Sequence, residues 1–271
     1  MRPLRICLTA SELAPLAKTG GLADVCAALA GHLHGVGHDV RVLLPLYSSI
    51  DLTDVGATPV SFLQNLGTDF AGRRIGFSID TGHLPGTDTP IYLLRCDELY
   101  RRNGIYPEDG DEHRRFLMLC RATIAMCQHM GWSPDIVHCN DWHTAMVPVL
   151  LKNLFGWDSL FANTKSVLTI HNIGFQGVFG ADILDDTGMA GRPDRLHQED
   201  LSQGRINFLK NGLLYADHLT TVSPTYAREI QTADFGFGLE DMLRWRNDHL
   251  TGILNGVDYA QWDPANDTLI P

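Results

Sequence analysis

Four short clusters hold residues whose types and spacing could do chemistry. The first is Lys18-Thr19-Gly20-Gly21-Leu22-Ala23-Asp24. Paired glycines ahead of a helix leave N–H groups free at its positive end, which suits a phosphate, and Lys18 adds a point charge. Asp24 falls in the first helical turn, off the apolar stripe, where it can cap the helix or face a ligand. The plainer reading is a glycine turn with a capping Asp. The second cluster spaces His138, Asp141 and His143 as H-x-x-D-x-H, with ligand types that suit a metal. No second cluster completes a ligand set, so His138 reads instead as a strand residue facing the core. Asp141 and His143 then read as hydrogen-bonding groups at the strand mouth. The third, His171-Asn172 with Gly174, Gln176 and Gly177, ends an apolar strand in a glycine loop, a ligand-facing arrangement. The fourth is Asn255-Gly256-Val257-Asp258, where Asn-Gly is also an ordinary turn signal.

These clusters need a frame. Leu4–Thr9 reads as a buried strand, and Leu22, Val25, Cys26, Leu29, Leu33 and Val36 stripe one helical face. With a strand at Val40–Leu44 they make a βαβ unit. Further strands are expected at Ile91–Arg95, Ile136–Cys139, Ser166–Ile170, His218–Val222 and Leu250–Leu254. Helices are expected from about Asp111 to Met130 and over Ala145–Asn153, Arg205–Ala216, Pro224–Ile230 and Leu239–Arg246. Strands alternating with helices predict an α/β fold, a mostly parallel sheet with helices on both faces. The segment Asp51–Thr89 is less regular and reads as hairpins or an excursion from the sheet. Ligands of such sheets bind beyond the carboxyl ends of the strands, and all four clusters lie there.

Composition sets outer limits. With 271 residues, 44% hydrophobic and 20% charged, the chain can bury a core, and wholesale disorder is excluded. A net charge of −11 argues against a general nucleic-acid or anionic-membrane binder. No apolar stretch reaches the roughly 18 residues of a membrane span. The six cysteines include no C-x-x-C pair and sit mostly in apolar runs, reading as core residues of a reducing compartment. The amino terminus has the features of neither a signal nor a transit peptide, so the expected location is cytoplasmic. The polar tail after Asp258, residues 261–271, has the composition of a linker.

In this order, the residues resemble bacterial glycogen synthases and plant starch synthases. The matching runs are Ser11-Glu12, Lys18–Val25, Val42–Pro45, Asp135–His143, Thr169–Gly177, Arg205–Tyr215, Ala216-Asp217-His218, Thr221–Ala227, Gly238-Leu239-Glu240 and Leu254–Asp258. The resemblance implies that residues 1–260 are the Rossmann-like amino-terminal lobe of a two-lobe, GT-B-type retaining glycosyltransferase, with 261–271 beginning the interdomain linker. It further implies glucosyl transfer from a nucleotide-glucose, usually ADP-glucose, to the non-reducing end of an α-1,4-glucan, without metal or cofactor. Carried over by motif, Lys18, Gly20 and Gly21 approach the donor diphosphate and glucose, with Asp24 in the same loop. His171 offers its carbonyl and ring to the transferring glucose. Asp141, Asn172 and Asn255 hold sugar hydroxyls, His143 joins the substrate-binding set, and Tyr100 lines the cleft. His171, Asp141 and Lys18 form the catalytic group. The family's second lobe supplies most of the nucleotide pocket, an Arg and a Lys for the diphosphate, and a Glu, none of which has a counterpart in these 271 residues. Two other readings compete: a non-catalytic glucan- or partner-binding domain, and a metal-dependent hydrolase built on His138, Asp141 and His143.

Overall fold

The computed structural model describes residues 2–107, 109–256 and 264–265. The strands are β1 (Arg5–Thr9), β2 (Asp39–Pro45), β3 (Thr58–Pro59), β4 (Leu66–Phe70), β5 (Arg73–His83) and β6 (Pro90–Arg95). They continue with β7 (Ile136–Asn140), β8 (Lys165–Ile170), β9 (Val178–Gly180), β10 (Arg205–Asn207), β11 (His218–Thr221) and β12 (Leu250–Gly252). The helices are α1 (Gly21–Gly35), α2 (Asp97–Tyr100), α3 (Glu112–Met130), α4 (Met146–Asn153), α5 (Leu184–Thr187), α6 (Gln198–Ser202), α7 (Phe208–Tyr215), α8 (Pro224–Glu229) and α9 (Glu240–Trp245).

The central sheet runs β12-β11-β8-β7-β1-β2-β6-β5-β3. From β12 to β6 every described pairing is parallel. β1 and β7 are almost wholly buried or half-buried along their length, as strands covered on both faces must be. The chain first builds outward from β1 through β2 to β6, then returns to lay β7 on β1's other side. That reversal makes the β1 and β7 loops the switch point at which open α/β sheets place their ligands.

The irregular segment extends the sheet. β4 and β5 form a hairpin whose turn residues Ala71 and Gly72 both have positive φ, and β5 pairs antiparallel with β6. One expected helix starts late. Arg205–Asn207 is a strand paired with β9, and α7 begins only at Phe208. The cause is local: Asn207 accepts the Lys210 N–H at 2.9 Å with its side-chain oxygen, capping the helix there. The same device starts α8, where Ser223 Oγ accepts the Tyr226 N–H at 2.9 Å ahead of Pro224. The last strand is shorter than expected, ending at Gly252. Val257 and Asp258 of the fourth cluster, and most of the tail expected to be linker, lie outside the described residues. All six cysteines are buried and unpaired. Among the described residues no helix is long and apolar enough to cross a membrane.

Close packing of α7 on α4 depends on Gly212. A Cβ there would stand 2.6 Å from the Ala145 carbonyl oxygen and 2.9 Å from Leu168 Cδ2. Alanine in a helix interior ordinarily gains up to about 1 kcal/mol over glycine, but here the overlap is with backbone. Gly212→Ala is therefore expected to cost about 2 kcal/mol net, lowering Tm by roughly 4–8 °C. Gly31→Ala in α1, whose Cβ would meet only Thr87 Cγ2 at 3.9 Å, is the control and should raise Tm slightly. Equal shifts in thermal melts would refute the packing argument.

Candidate active site

Three loops meet at the carboxyl edge of the sheet, around the switch point. The β1 loop carries Ser11, Glu12 and Lys18 into α1. The β7 loop is Asp141-Trp142-His143, and the β8 loop runs from His171 to Gly177. Asp141 is buried and left-handed, with φ 54°, a conformation an Asp tolerates better than most residues. Its carboxylate Oδ1 accepts the His171 N–H at 2.7 Å and the Asn172 N–H at 3.4 Å, tying the β8 loop to the β7 loop. Burial pushes the Asp141 carboxyl up to about 7, despite the opposing pull of those two backbone donors, and the nearby Glu12 charge adds to the rise.

His171 follows the strand, and its Nε2 lies 3.0 Å from Asn140 Oδ1. Asn140 donates its Nδ2 to the Thr9 carbonyl at 3.1 Å, so Oδ1 must accept and His171 Nε2 must hold the proton. Nδ1 is left with a free lone pair. Burial, then the neighbouring His138, holds His171 down at about 4, so the ring is neutral near pH 7. Asn172 Oδ1 accepts the Gly174 N–H at 3.0 Å, closing a tight turn. Beyond it Gly177 has φ 62°, and a Cβ there would strike Trp142 at 2.2 Å. The carbonyls of Gln176 and Gly177 accept the Leu209 and Phe208 N–H groups, so the β8 loop also anchors the start of α7.

At the β1 loop, Gly20 is the N-cap of α1 and supplies no side chain to cap it. The exposed Lys18 Nζ pairs with Asp24 Oδ1 at 2.8 Å. Asp24 thus holds the cation of its own loop rather than capping the helix.

Two expected positions are corrected. Tyr100 does not line a cleft: it is fully buried, donates its hydroxyl to the Arg115 carbonyl at 2.6 Å, and sits edge-on to Tyr47. Its place on α2, packed against α3, turns it to the core. His143 is also inside. Its ring stacks on Tyr106 at 5.0 Å and packs against Trp142 and Phe116. Burial, then the nearby Arg115 charge, holds it down at about 3. His138 faces across the sheet, its Nε2 2.6 Å from Thr169 Oγ1 and away from a shared site with Asp141 and His143. Among the described residues no group of three His, Cys, Asp or Glu is gathered to hold a metal ion. Asn255 is exposed on the same edge, its N–H donated to the Val222 carbonyl. It follows β12, four strands from β1 and so roughly 19 Å away at the usual strand spacing. The structure therefore brings Asp141, His171 and Asn172 into direct contact and leaves Asn255 at the far end of the edge. Glu12 and Tyr106 join this site, although their types and spacing gave no signal beyond the Ser11-Glu12 resemblance.

The family model for the starch synthase catalytic domain matches residues 5–245. The chain belongs to this family. A glycogen synthase of Geotalea uraniireducens is 40% identical over 268 residues, covering 97% of this chain and 54% of that protein. The glycogen synthase of Aeromonas salmonicida is 40% identical over 275 residues, covering 100% of this chain and 55% of that protein. The solved catalytic domain of starch synthase IV from Arabidopsis thaliana, bound to ADP and acarbose, matches with a TM-score of 0.87. That match has 33% identity and covers 99% of this chain and 55% of that one. The chain thus spans about half the length of the relatives it matches. Its mostly parallel sheet is one lobe of the GT-B glycosyltransferase architecture that the family shares.

The buried ionisable groups set opposed pH dependences. His143, held down at about 3, stays neutral when folded, while the unfolded ring takes up a proton below about 6.5. Its contribution is complete above pH 6.5 and is lost as pH falls toward 3. Asp141, raised to about 7, acts in reverse, and stability falls as pH rises from 3.8 through 7. His143→Phe, which preserves the ring cluster, should therefore shrink the drop in Tm between pH 7 and pH 4.5. Asp141→Asn should steepen it. Tm-against-pH curves parallel to wild type in both variants would contradict these assignments.

Proposed function

We propose that the chain is the amino-terminal, acceptor-side lobe of a retaining glucosyltransferase, that residues 1–260 form that lobe, and that a second lobe of similar size completes the cleft. The reaction moves glucose from a nucleotide-glucose, ADP-glucose in our reading, to the non-reducing end of an α-1,4-glucan. The bond from the anomeric carbon to the diphosphate oxygen breaks, and a bond to the acceptor 4-oxygen forms on the same face. The hydroxyl proton leaves with the diphosphate. The observation that carries this reading is the contact network joining Asp141, Asn140 and the His171–Asn172 turn beside the open N-terminus of α1, in a chain of this family.

Each group has work suited to its state. The uncapped Gly21 and Leu22 amides and Lys18 meet the diphosphate, which displaces Asp24 as the lysine's partner. Neutral His171, oriented by Asn140, puts a dipole and a lone pair beside the developing positive charge of the glucosyl ring. Asp141 holds the turn, and Asn172 offers its amide to a sugar hydroxyl, while Asn255, at the far end of the edge, can reach only a more distant sugar of the acceptor. Six unpaired cysteines suit the reducing cytoplasm.

The test supplies labelled ADP-glucose or UDP-glucose and glycogen to the chain joined to the second lobe of a relative. Label should enter glycogen from ADP-glucose and resist release until an α-1,4-specific hydrolase is added. Glycogen binding without incorporation would overturn the reading. In the same two-lobe protein, His171→Ala should lower turnover at least tenfold, about 1.4 kcal/mol of transition-state binding, while Tm moves only a few degrees. Lys18→Ala should lower kcat/KM for the donor with Tm unchanged, because an exposed ion pair adds little stability.

A further inference from the structure

Glu12 has no counterpart among the groups assigned above, yet it is the best-satisfied carboxylate at the site. It is 4% exposed and stands directly beneath the Lys18–Gly21 run. Its Oε2 accepts the Thr19 N–H at 2.6 Å and the Gly20 N–H at 3.2 Å. Its Oε1 accepts the Thr19 hydroxyl and the Tyr106 hydroxyl, both at 2.7 Å. Tyr106 in turn takes the Ser11 hydroxyl at 2.9 Å and stacks on His143. A buried carboxylate is tolerated when it is saturated with donors, and this one is.

We infer that Glu12 is the positioning residue of the donor loop, holding Thr19 and Gly20 so that Lys18 and the first amides of α1 stand in register for a diphosphate. The inference rests on the proposed transferase reading for what the loop binds. Glu12 does not meet the donor itself: both its oxygens are engaged, and its charge has the sign of the diphosphate. By occupying the Gly20 N–H it passes anion binding to the amides from Gly21 onward. Through Tyr106 it also links this loop to the aromatic cluster below the β7 loop, so the donor loop and the Asp141 loop share one support.

The geometry supplies its own control. In Glu12→Gln, the amide oxygen can take the Oε2 place and accept both backbone N–H groups, while the NH₂ faces two hydroxyl oxygens that can turn to accept. The shape of the site survives and only the charge goes. Glu12→Ala removes every contact.

Hydrogen–deuterium exchange on the chain itself reads the loop without any need for activity. Glu12→Ala should speed exchange at Thr19 and Gly20 at least tenfold, and Glu12→Gln should stay within about threefold of wild type. In the two-lobe protein, Glu12→Ala should raise KM for ADP-glucose tenfold or more with a smaller fall in kcat, and Glu12→Gln should recover most of kcat/KM. Unchanged exchange in Glu12→Ala, or a Glu12→Gln as impaired as the alanine, would overturn the assignment. If Glu12→Ala does not fold, Glu12→Gln must keep protection and Tyr106→Phe must raise exchange in the same segment. Failure of either overturns it. A two-lobe wild type that transfers no glucose would instead fail the functional reading, and the exchange result would still decide the role of Glu12.

Discussion

The parallel pairing of β1 with β7 is the constraint on which the site depends. The register Leu8↔His138 and Thr9↔Cys139 brings the ends of two strands level although more than 120 residues separate them in the chain. Because β2 and β6 already occupy the other side of β1, the chain reverses its direction of growth there, which is where open α/β sheets bind their ligands. Continuing the register to β8 places His171 next to Asn140, close enough for one side chain to orient the other.

Two buried carboxylates convert that adjacency into a defined surface. Glu12 gathers the donors of the β1 loop, and Asp141 gathers those of the β8 loop. Neither acts as a counter-ion to a lysine or arginine. Each is held by backbone amides, so each dictates the path of a loop rather than a single side-chain position. A loop anchored through its backbone presents its groups with little freedom left to lose on binding, which is the condition for electrostatic preorganisation.

The buried groups gather little positive charge at this edge. The whole chain carries a charge of −11, and His171 and His143 are neutral near pH 7, because burial denies them a proton. Lys18 is the cation of the loop between β1 and α1, and it already has Asp24 beside it. On the proposed transferase reading, a nucleoside diphosphate needs more positive charge than the β1 loop offers. The proposed second lobe is where that charge has to come from, in keeping with the relatives' being nearly twice as long.

The sequence by itself determined the α/β alternation, nearly every parallel strand and the placement of the polar clusters at one edge. Those properties follow from apolar periodicity and from glycine and capping chemistry, which act over a few residues and are legible along the chain. It also pointed to His171 and Asp141, because polar residues that end an apolar strand are conspicuous. Only the tertiary structure decided which way side chains face and what they touch. Tyr100 lies on a short helix whose direction depends on α3 beneath it, so its burial against Arg115 had no local sign. His143 follows Trp142 in a loop that reads as open, yet Phe116 and Tyr106, from distant segments, close over it. Glu12 gained its role from Tyr106, 94 residues away, and from the curl that returns Thr19 and Gly20 to it. Hydrogen bonding and stacking between remote segments depend on packing geometry, and no period or spacing in the chain encodes that.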